Sequence, residues 1–398
     1  MTKPLSEYDV IILGGGCAGL SLVLRLLEKQ LDLSILILEQ RKKYQHDRTW
    51  AGWFSQDELR PFNAIADRKY HRWSFSHTDT EHLHISAQQP YFALHSGTWY
   101  EHVLQQIDAA PNVTLRLGET ISAEAVLQQA HQSTLVFDST HASAQRNCPQ
   151  RGLWQSFVGV NVSSDYVLFT SEQAKQAYLM HDMQVTEYGF AFMYCLPQGS
   201  HQALCEVTLF TQRDVSRAVL QSLTETWTAH FFNTQLKQPD VALNMQVTEY
   251  AHLPMWCDPV PTPLAPNHFY MGVAGGAMRA SSGYAFGTIQ RWASSLSQLL
   301  AQSEYCHQQI HHDLRALRKL KSGRYSWFQR WMDSIYLEVL VNNASVTPTC
   351  FMQIAKHLTG DEFARFMSHR ATLTIWTKVI LALPKWIFIK AMIKVCFK

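Results

Sequence analysis

Within the first forty residues one arrangement fixes most of what this chain can become. The apolar run "YDVIIL" (residues 8–13) leads directly into "GGGCAG", then the amphipathic "LSLVLRLLEKQ", then a second apolar run, "SILILE", that ends at Glu39. Strand, glycine turn, helix, strand and an acid about twenty residues past the glycines make a dinucleotide-binding βαβ unit. In such a unit Gly14 forms the tight turn, Gly16 lets the backbone approach a pyrophosphate, and Gly19 lets helix and strand pack closely. The helix N-terminus turns its N–H groups and positive dipole end toward phosphate. Glu39 is the expected acceptor for the adenosine ribose. The fingerprint by itself admits FAD or NAD; its position at the start, without a second copy, favours FAD.

Two later stretches fit the same domain. "TLVFDST" (134–140) reads as a strand ending in Asp138 that returns to the cofactor sheet. Residues 269–300 read as a strand, a glycine-rich loop carrying Gly275 and Gly276, and a helix beginning near Gly283. That loop is expected to bring backbone N–H groups and a second helix N-terminus to the flavin end, favouring an electron-rich, reduced ring. The expected fold is α/β: a Rossmann-type FAD-binding domain (1–50, 130–160 and 265–300), an interleaved antiparallel-sheet substrate domain (51–129 and 161–264) and C-terminal helices (301–398).

The stretch "HQALCEVTLFTQ" (201–212) carries an anomaly. Its alternation predicts a strand apolar on both faces, hence buried on both sides, yet Glu206 sits in its middle. Burial disfavours the charged form, so this carboxyl is expected to titrate above its ordinary value. A neutral acid at pH 7 suits protonation of a carbon–carbon double bond, and a structural hydrogen bond or ion pair is the alternative use of a buried carboxyl. A hairpin with "FAFMYCLP", symmetric about Ser200, puts Tyr194 opposite Glu206 with Phe192 nearby. Aromatic faces there would favour a cation.

With these residues in view, the chain resembles the bacterial lycopene β-cyclase family of FAD-dependent enzymes. The matches run in order: "HDRTW" (46–50), "FMYCLP" (192–197), "ALCEVTLF" (203–210), "EYAHLPM" (249–255), "GVAGGAMRASSGY" (272–284) and "MDSIYLEVL" (332–340). Ala251 stands where the family pattern has glycine, and "AGW" and "WQSF" also depart from it. The resemblance implies Glu206 as the acid–base residue. It implies that Asp47, Arg48, Thr49 and Trp50 lie near flavin and substrate, with Arg48 holding cofactor phosphate or orienting Glu206. Asp182 and Glu249 are weaker carry-overs. The implied reaction is the redox-neutral closure of the acyclic ends of lycopene to β-rings with reduced FAD, NADPH being the expected external reductant. The reduced flavin is the other candidate acid, and a prenyl-chain reductase or hydroxylase of the same fold is the alternative activity.

Composition narrows the partners. A formal charge of +2 gives no nucleic-acid footprint. Eight cysteines without a C-x-x-C pair and no leader before the first apolar run predict a reduced, cytoplasmic setting. "CHQQIHHD" (306–313) spaces His307 and His311 like zinc ligands, but Gln308 stands where a hydrolase needs glutamate, so no metal is expected. After Glu362 no acid occurs, while lysines stand at 378, 385, 390, 394 and 398. With Pro384 breaking the segment, this predicts a helix pair, lying on the inner face of the cell membrane or packed on the protein's own core. The sequence is silent on oligomeric state.

Overall fold

The computed structural model describes residues 3–140, 148–238, 241–257, 259–302, 310–320 and 325–397. Two large sheets organise them, beside a three-stranded one in the order Thr49–Trp53, Tyr91–His95, Arg68–Tyr70. The first is a five-stranded parallel sheet in the order His268–Tyr270, Leu135–Asp138, Val10–Leu13, Ile35–Glu39, Val113–Leu117. Its central strand is wholly apolar and wholly buried, as a strand covered by helices on both faces must be. The helix Cys17–Glu28 covers one face, with Leu20, Leu22, Val23, Leu24 and Leu26 buried. No side chain caps its N-terminus at Gly16, so its first N–H groups face the adjoining cleft unspent.

Gly19 shows why that helix can start where it does. A β-carbon there would lie 2.1 Å from the carbonyl oxygen of Gly14, so only glycine allows the first helical turn to press on the strand end.

The second sheet has seven strands and is mostly antiparallel. From one edge the order is Asn244–Met255, Leu153–Ser163, Gln202–Thr211, Gly189–Pro197, Gln176–Thr186, Arg72–His77 and Thr80–Ile85. One face packs on the helix Arg217–Thr234 through Ala203, Cys205, Val207 and Leu209. The other presents Leu204 and Phe210 to the C-terminal helices. The strand Gln202–Thr211 is therefore buried on both faces, and Glu206 belongs to the face turned toward the cofactor layer and those helices.

Two boundaries differ from the sequence-based expectation. Val113–Leu117, assigned to the substrate domain within 51–129, pairs in parallel with Ile35–Glu39 as the edge of the nucleotide sheet. Leu153–Ser163, assigned to the FAD domain up to 160, is instead the neighbour of the Glu206 strand. Both segments mix apolar and polar residues, over five positions in Val113–Leu117 and eleven in Leu153–Ser163. Such a run identifies a strand but not its partner, because pairing is a long-range choice.

The C-terminal part is helical: Trp327–Asn342, Thr347–His357, Gly360–Met367, Leu373–Ala382 and Lys385–Cys396. The last two meet at Leu383 and Pro384, as the proline predicted. His307 and Gln308, and the side chain of His311, lie outside the described residues.

Candidate active site

A cleft of about 660 Å³ opens at the carboxyl end of the parallel sheet. Gly14, Gly16, Glu39, Arg41, Ser139 and Thr140 line it. Glu39 accepts from the Gly15 N–H at 2.7 Å, the Arg41 N–H at 2.8 Å and the Arg41 guanidinium at 3.1 Å. Burial works against its charge, but the bonds from Arg41 prevail and hold the carboxyl below the usual range. An uncapped helix start, a glycine turn and an anchored acid are the cradle an adenine dinucleotide requires.

Asp138 sits differently from the sequence-based expectation. Its carboxylate accepts from the Thr140 N–H at 2.7 Å and hydroxyl at 2.6 Å, and faces His268 Nε2 at 3.5 Å. It fixes the turn, whereas the following Ser139 and Thr140 line the cleft. Gly275 and Gly276 are turn residues too. A β-carbon on Gly275 would lie 2.7 Å from the Tyr270 carbonyl, and Gly276 has φ +81°. Gly283, at φ +73°, does reach the adjoining cavity, where it abuts the Gln155 carboxamide.

That second cavity, of about 220 Å³, shares Cys17, Asp47, Arg48 and Trp50 with the cleft. Its far wall is the seven-stranded sheet, with Glu206, Tyr194, Leu196, Leu204 and Glu249 facing inward. Tyr194 pairs directly opposite Glu206. On the other side Glu206 pairs with Gly159, which also pairs with Glu249 of the next strand. A β-carbon on Gly159 would stand 3.1 Å from Glu249 Cβ and 3.2 Å from Glu206 Oε1. Glycine here is the gap over which two carboxyl side chains lean together.

The two carboxyls are treated unequally. Glu249 is buried and accepts from the Thr49 N–H at 2.7 Å and the Thr49 hydroxyl at 2.5 Å; His46 Nε2 stands 3.4 Å away. Among the described residues no hydrogen bond or ion pair ties down Glu206. Burial first, and the neighbouring Glu249 charge second, push its carboxyl well above the ordinary range. Such a split in one site separates an acid held neutral from a partner held by donors.

Phenols complete the wall. Tyr194 hydrogen-bonds Tyr284, whose hydroxyl lies 3.4 Å from that of Tyr91. Burial drives all three far above the ordinary phenol value, which favours their protonated form. Phe192 stands behind Tyr194, edge-on at 5.3 Å. Trp50 stacks on Phe286 at 5.5 Å where cleft and cavity meet.

Asp47 accepts from Ser96 Oγ at 3.0 Å and from the Tyr100 hydroxyl at 3.2 Å. Arg48 bonds Asp47 at 3.5 Å and lines both spaces. Its hydrogen bond goes to Asp47 and not to Glu206. Asp182 lies on Gln176–Thr186, is bonded by Gln184 at 3.3 Å, and is not among the cavity-lining residues. Sequence reasoning missed Thr49 as the holder of Glu249, Gly159 as the spacer, and Gln155. Only Thr49 carried a signal, its place in "HDRTW". Among the described residues no group of His, Cys, Asp and Glu side chains is arranged to hold a metal.

The family model described as lycopene cyclase protein matches residues 9–394. This chain belongs to the lycopene cyclase family. No curated protein matches it in sequence. In structure, this lycopene cyclase family member is similar to a geranylgeranyl bacteriochlorophyll reductase-like protein from Thermoplasma acidophilum. That likeness has a TM-score of 0.62 and 10% identity, covering 98% of this chain and 99% of that one. It is also similar to the flavin-dependent brominase Bmp2, with a TM-score of 0.57 and 12% identity over 97% and 98% of the two chains. FqzB gives a TM-score of 0.57 at 12% identity, over 96% and 95%. At these identities the likeness is one of fold, and that fold is the Rossmann-type α/β architecture with a second sheet.

Proposed function

We propose that this protein cyclises the acyclic ends of lycopene to β-rings without net oxidation or reduction. The observation that carries this reading is Glu206 in a largely apolar cavity, its carboxyl pushed above the ordinary range by burial, beside a second carboxyl held by donors. Glu206 delivers its proton to the terminal double bond, and the internal alkene closes on the resulting cation. The Glu206 carboxylate then takes back a ring proton, which restores the acid and leaves product isomeric with substrate. Tyr194 and Trp50 face the cavity and give the cation aromatic surfaces. Leu196, Leu204 and Leu253 keep water from it.

The residues present fit FAD: Gly14 and Gly16 at the helix start for the pyrophosphate, Glu39 for the ribose, and Gly283 with Trp50 at the flavin end. Bound and reduced, with NADPH as the external source of electrons, FAD supplies negative charge beside the cation. Incubating the protein with reduced FAD and lycopene in vesicles should give cyclic product of unchanged mass. NADPH or oxygen consumed in step with product would reject the reading in favour of an oxidoreductase.

Glu249→Gln tests the carboxyl pair. Because the Glu249 charge raises the Glu206 pKa, its removal lowers that pKa. Glu206 then loses its proton at a lower pH, and the alkaline limb of the pH–rate profile moves down. An unmoved limb would show that the two carboxyls do not communicate.

The C-terminal helix pair is read as a membrane-surface element. Among the described residues no helix is long and apolar enough to cross a membrane. Ile375, Trp376, Val379 and Leu383 are buried inward, whereas Leu381, Trp386 and Ile389 are 63%, 76% and 40% exposed. Two of the lysines are anchors: Lys378 bonds Glu362 at 2.6 Å and Lys394 pairs with Glu338 at 3.3 Å. Lys385 and Lys390 stand exposed on this acid-free segment and complement anionic lipid. Burying each large apolar side chain contributes about 1.5–3 kcal/mol. The triple variant L381S/W386S/I389S should therefore co-sediment with anionic vesicles at least ~10-fold less strongly; equal binding would remove the membrane role.

A further inference from the structure

The space at Glu206 is too small for the substrate it is read to take. At about 220 Å³ it falls below the ~300–1,000 Å³ typical of pockets that enclose a drug-sized ligand. It must also admit the flavin ring. A linear polyene with a reactive group at its very end has to lodge the rest of its length elsewhere.

The face of the sheet that carries Glu206 runs on into one apolar core with the C-terminal helices. Leu196, Leu204 and Phe210 pack in the same cluster as Ile354, Phe363, Trp376 and Val379. Within that core lies a narrow cavity of about 50 Å³, a closed seam that a guest has to widen by moving its walls. Ser282 lines both this cavity and the one at Glu206, and among the described residues its buried hydroxyl has no hydrogen-bond partner. Phe351, Phe363, Phe366 and Trp376 form much of the wall. So do Met332 and Met367, whose unbranched thioether chains re-pack readily around a rod-shaped guest.

Among the described residues, the charged groups lining this space, Arg279 and Asp333, are paired with each other. Arg279, at its edge, bonds Asp333 at 3.2 Å and the Phe366 carbonyl at 2.8 Å, and Ser281 donates to Asp333 at 2.8 Å. The roof is the terminal helix pair: Trp376, Val379 and Leu383 before Pro384, and Phe388 after it. Opposite sides of that pair are the cavity and the exposed apolar surface.

We infer that the aromatic cavity beneath the C-terminal helix pair is the second lobe of the substrate site, holding the far part of a long acyclic polyene whose near end lies at Glu206. The inference rests on the cyclase reading and adds a site to it. The lobe grips by length and shape alone, so it acts on long hydrocarbon chains and ignores the chemistry of the reactive end.

Two measurements test it. Val379→Phe fills the lobe. In detergent, with the coloured polyene followed by co-elution, this variant should bind full-length lycopene at least ~10-fold more weakly. It should hold a truncated polyene with one intact reactive end as tightly as wild type. Flavin content serves as the check on folding. In the wild type, a polyene-length hydrocarbon bearing a diazirine at its far end should label Met332, Phe351 or Met367, whether or not the variant folds. Equal loss of both ligands, loss of neither, binding of neither by the wild type, or label confined to other residues would overturn the second lobe. Absence of cyclic product from the wild type would instead reject the cyclase reading and leave the binding and labelling comparison standing.

Discussion

Replacing Glu206 by glutamine should abolish most cyclisation, lowering turnover about 10²–10⁴-fold, the range a positioned general acid supplies. Glutamine keeps the size and polarity of the side chain and removes only the proton that can be given away. The cleft around Gly14, Gly16 and Glu39 is untouched, so flavin content should stay at the wild-type level. The same substitution has a second consequence that a merely structural glutamate would not share in this direction. The carboxyl in the folded protein titrates above its ordinary value, because burial and then the Glu249 charge disfavour its ionised form. The native state thus holds this proton at pH values where the unfolded chain has lost it. Stability falls as pH rises from the unfolded carboxylate value toward the folded one. Glu206→Gln escapes that loss. It should melt higher than wild type at pH 8, and the gap should close below about pH 4, where both states are protonated. Retained turnover, or a variant less stable than wild type at pH 8, would contradict the assignment of Glu206 as a buried neutral acid.

Asp333→Asn should produce the largest loss of stability. Arg279 and Asp333 are 3% and 2% exposed, 3.2 Å apart, and join the loop that carries Gly283 and Tyr284 to the helix Trp327–Asn342. Removing one partner leaves a guanidinium charge in an apolar core, which costs about 3–5 kcal/mol. Replacing both, as Arg279→Met with Asp333→Leu, should recover most of that, because the cost lies in the orphaned charge rather than in the lost attraction. Chemical unfolding followed by far-UV circular dichroism measures both. A single variant within about 1 kcal/mol of wild type would mean that water reaches Arg279, a result at odds with the burial observed.

Much of the site was legible in the chain because it is written locally. The order of strand, glycines, helix and acid specifies the cofactor unit, since each step constrains only near neighbours. A carboxyl in a strand apolar on both faces marks Glu206. Hairpin symmetry about Ser200 puts Tyr194 opposite it, and the register found is that one. Pro384 lacks the N–H an unbroken helix needs, and the two terminal helices meet there. Asp138 was read one residue early: it ends the strand, but its carboxylate turns back on Thr140, and the next two residues line the cleft.

By itself the sequence determined the cofactor βαβ unit with its glycines, the hairpin carrying Glu206, and which carboxyl is anomalous, because periodicity and turn chemistry act over a few residues. Only the tertiary structure decided which strands far apart in sequence lie side by side. Val113–Leu117 went to the nucleotide sheet and Leu153–Ser163 to the catalytic one. That second choice brings Gly159 between Glu206 and Glu249, and sets Thr49 against a carboxyl 200 residues away. Burial alone raises the Glu206 carboxyl, and whether the Glu249 charge adds to it depends on that pairing. Electrostatic interactions follow distance in space, and no local pattern encodes such a distance.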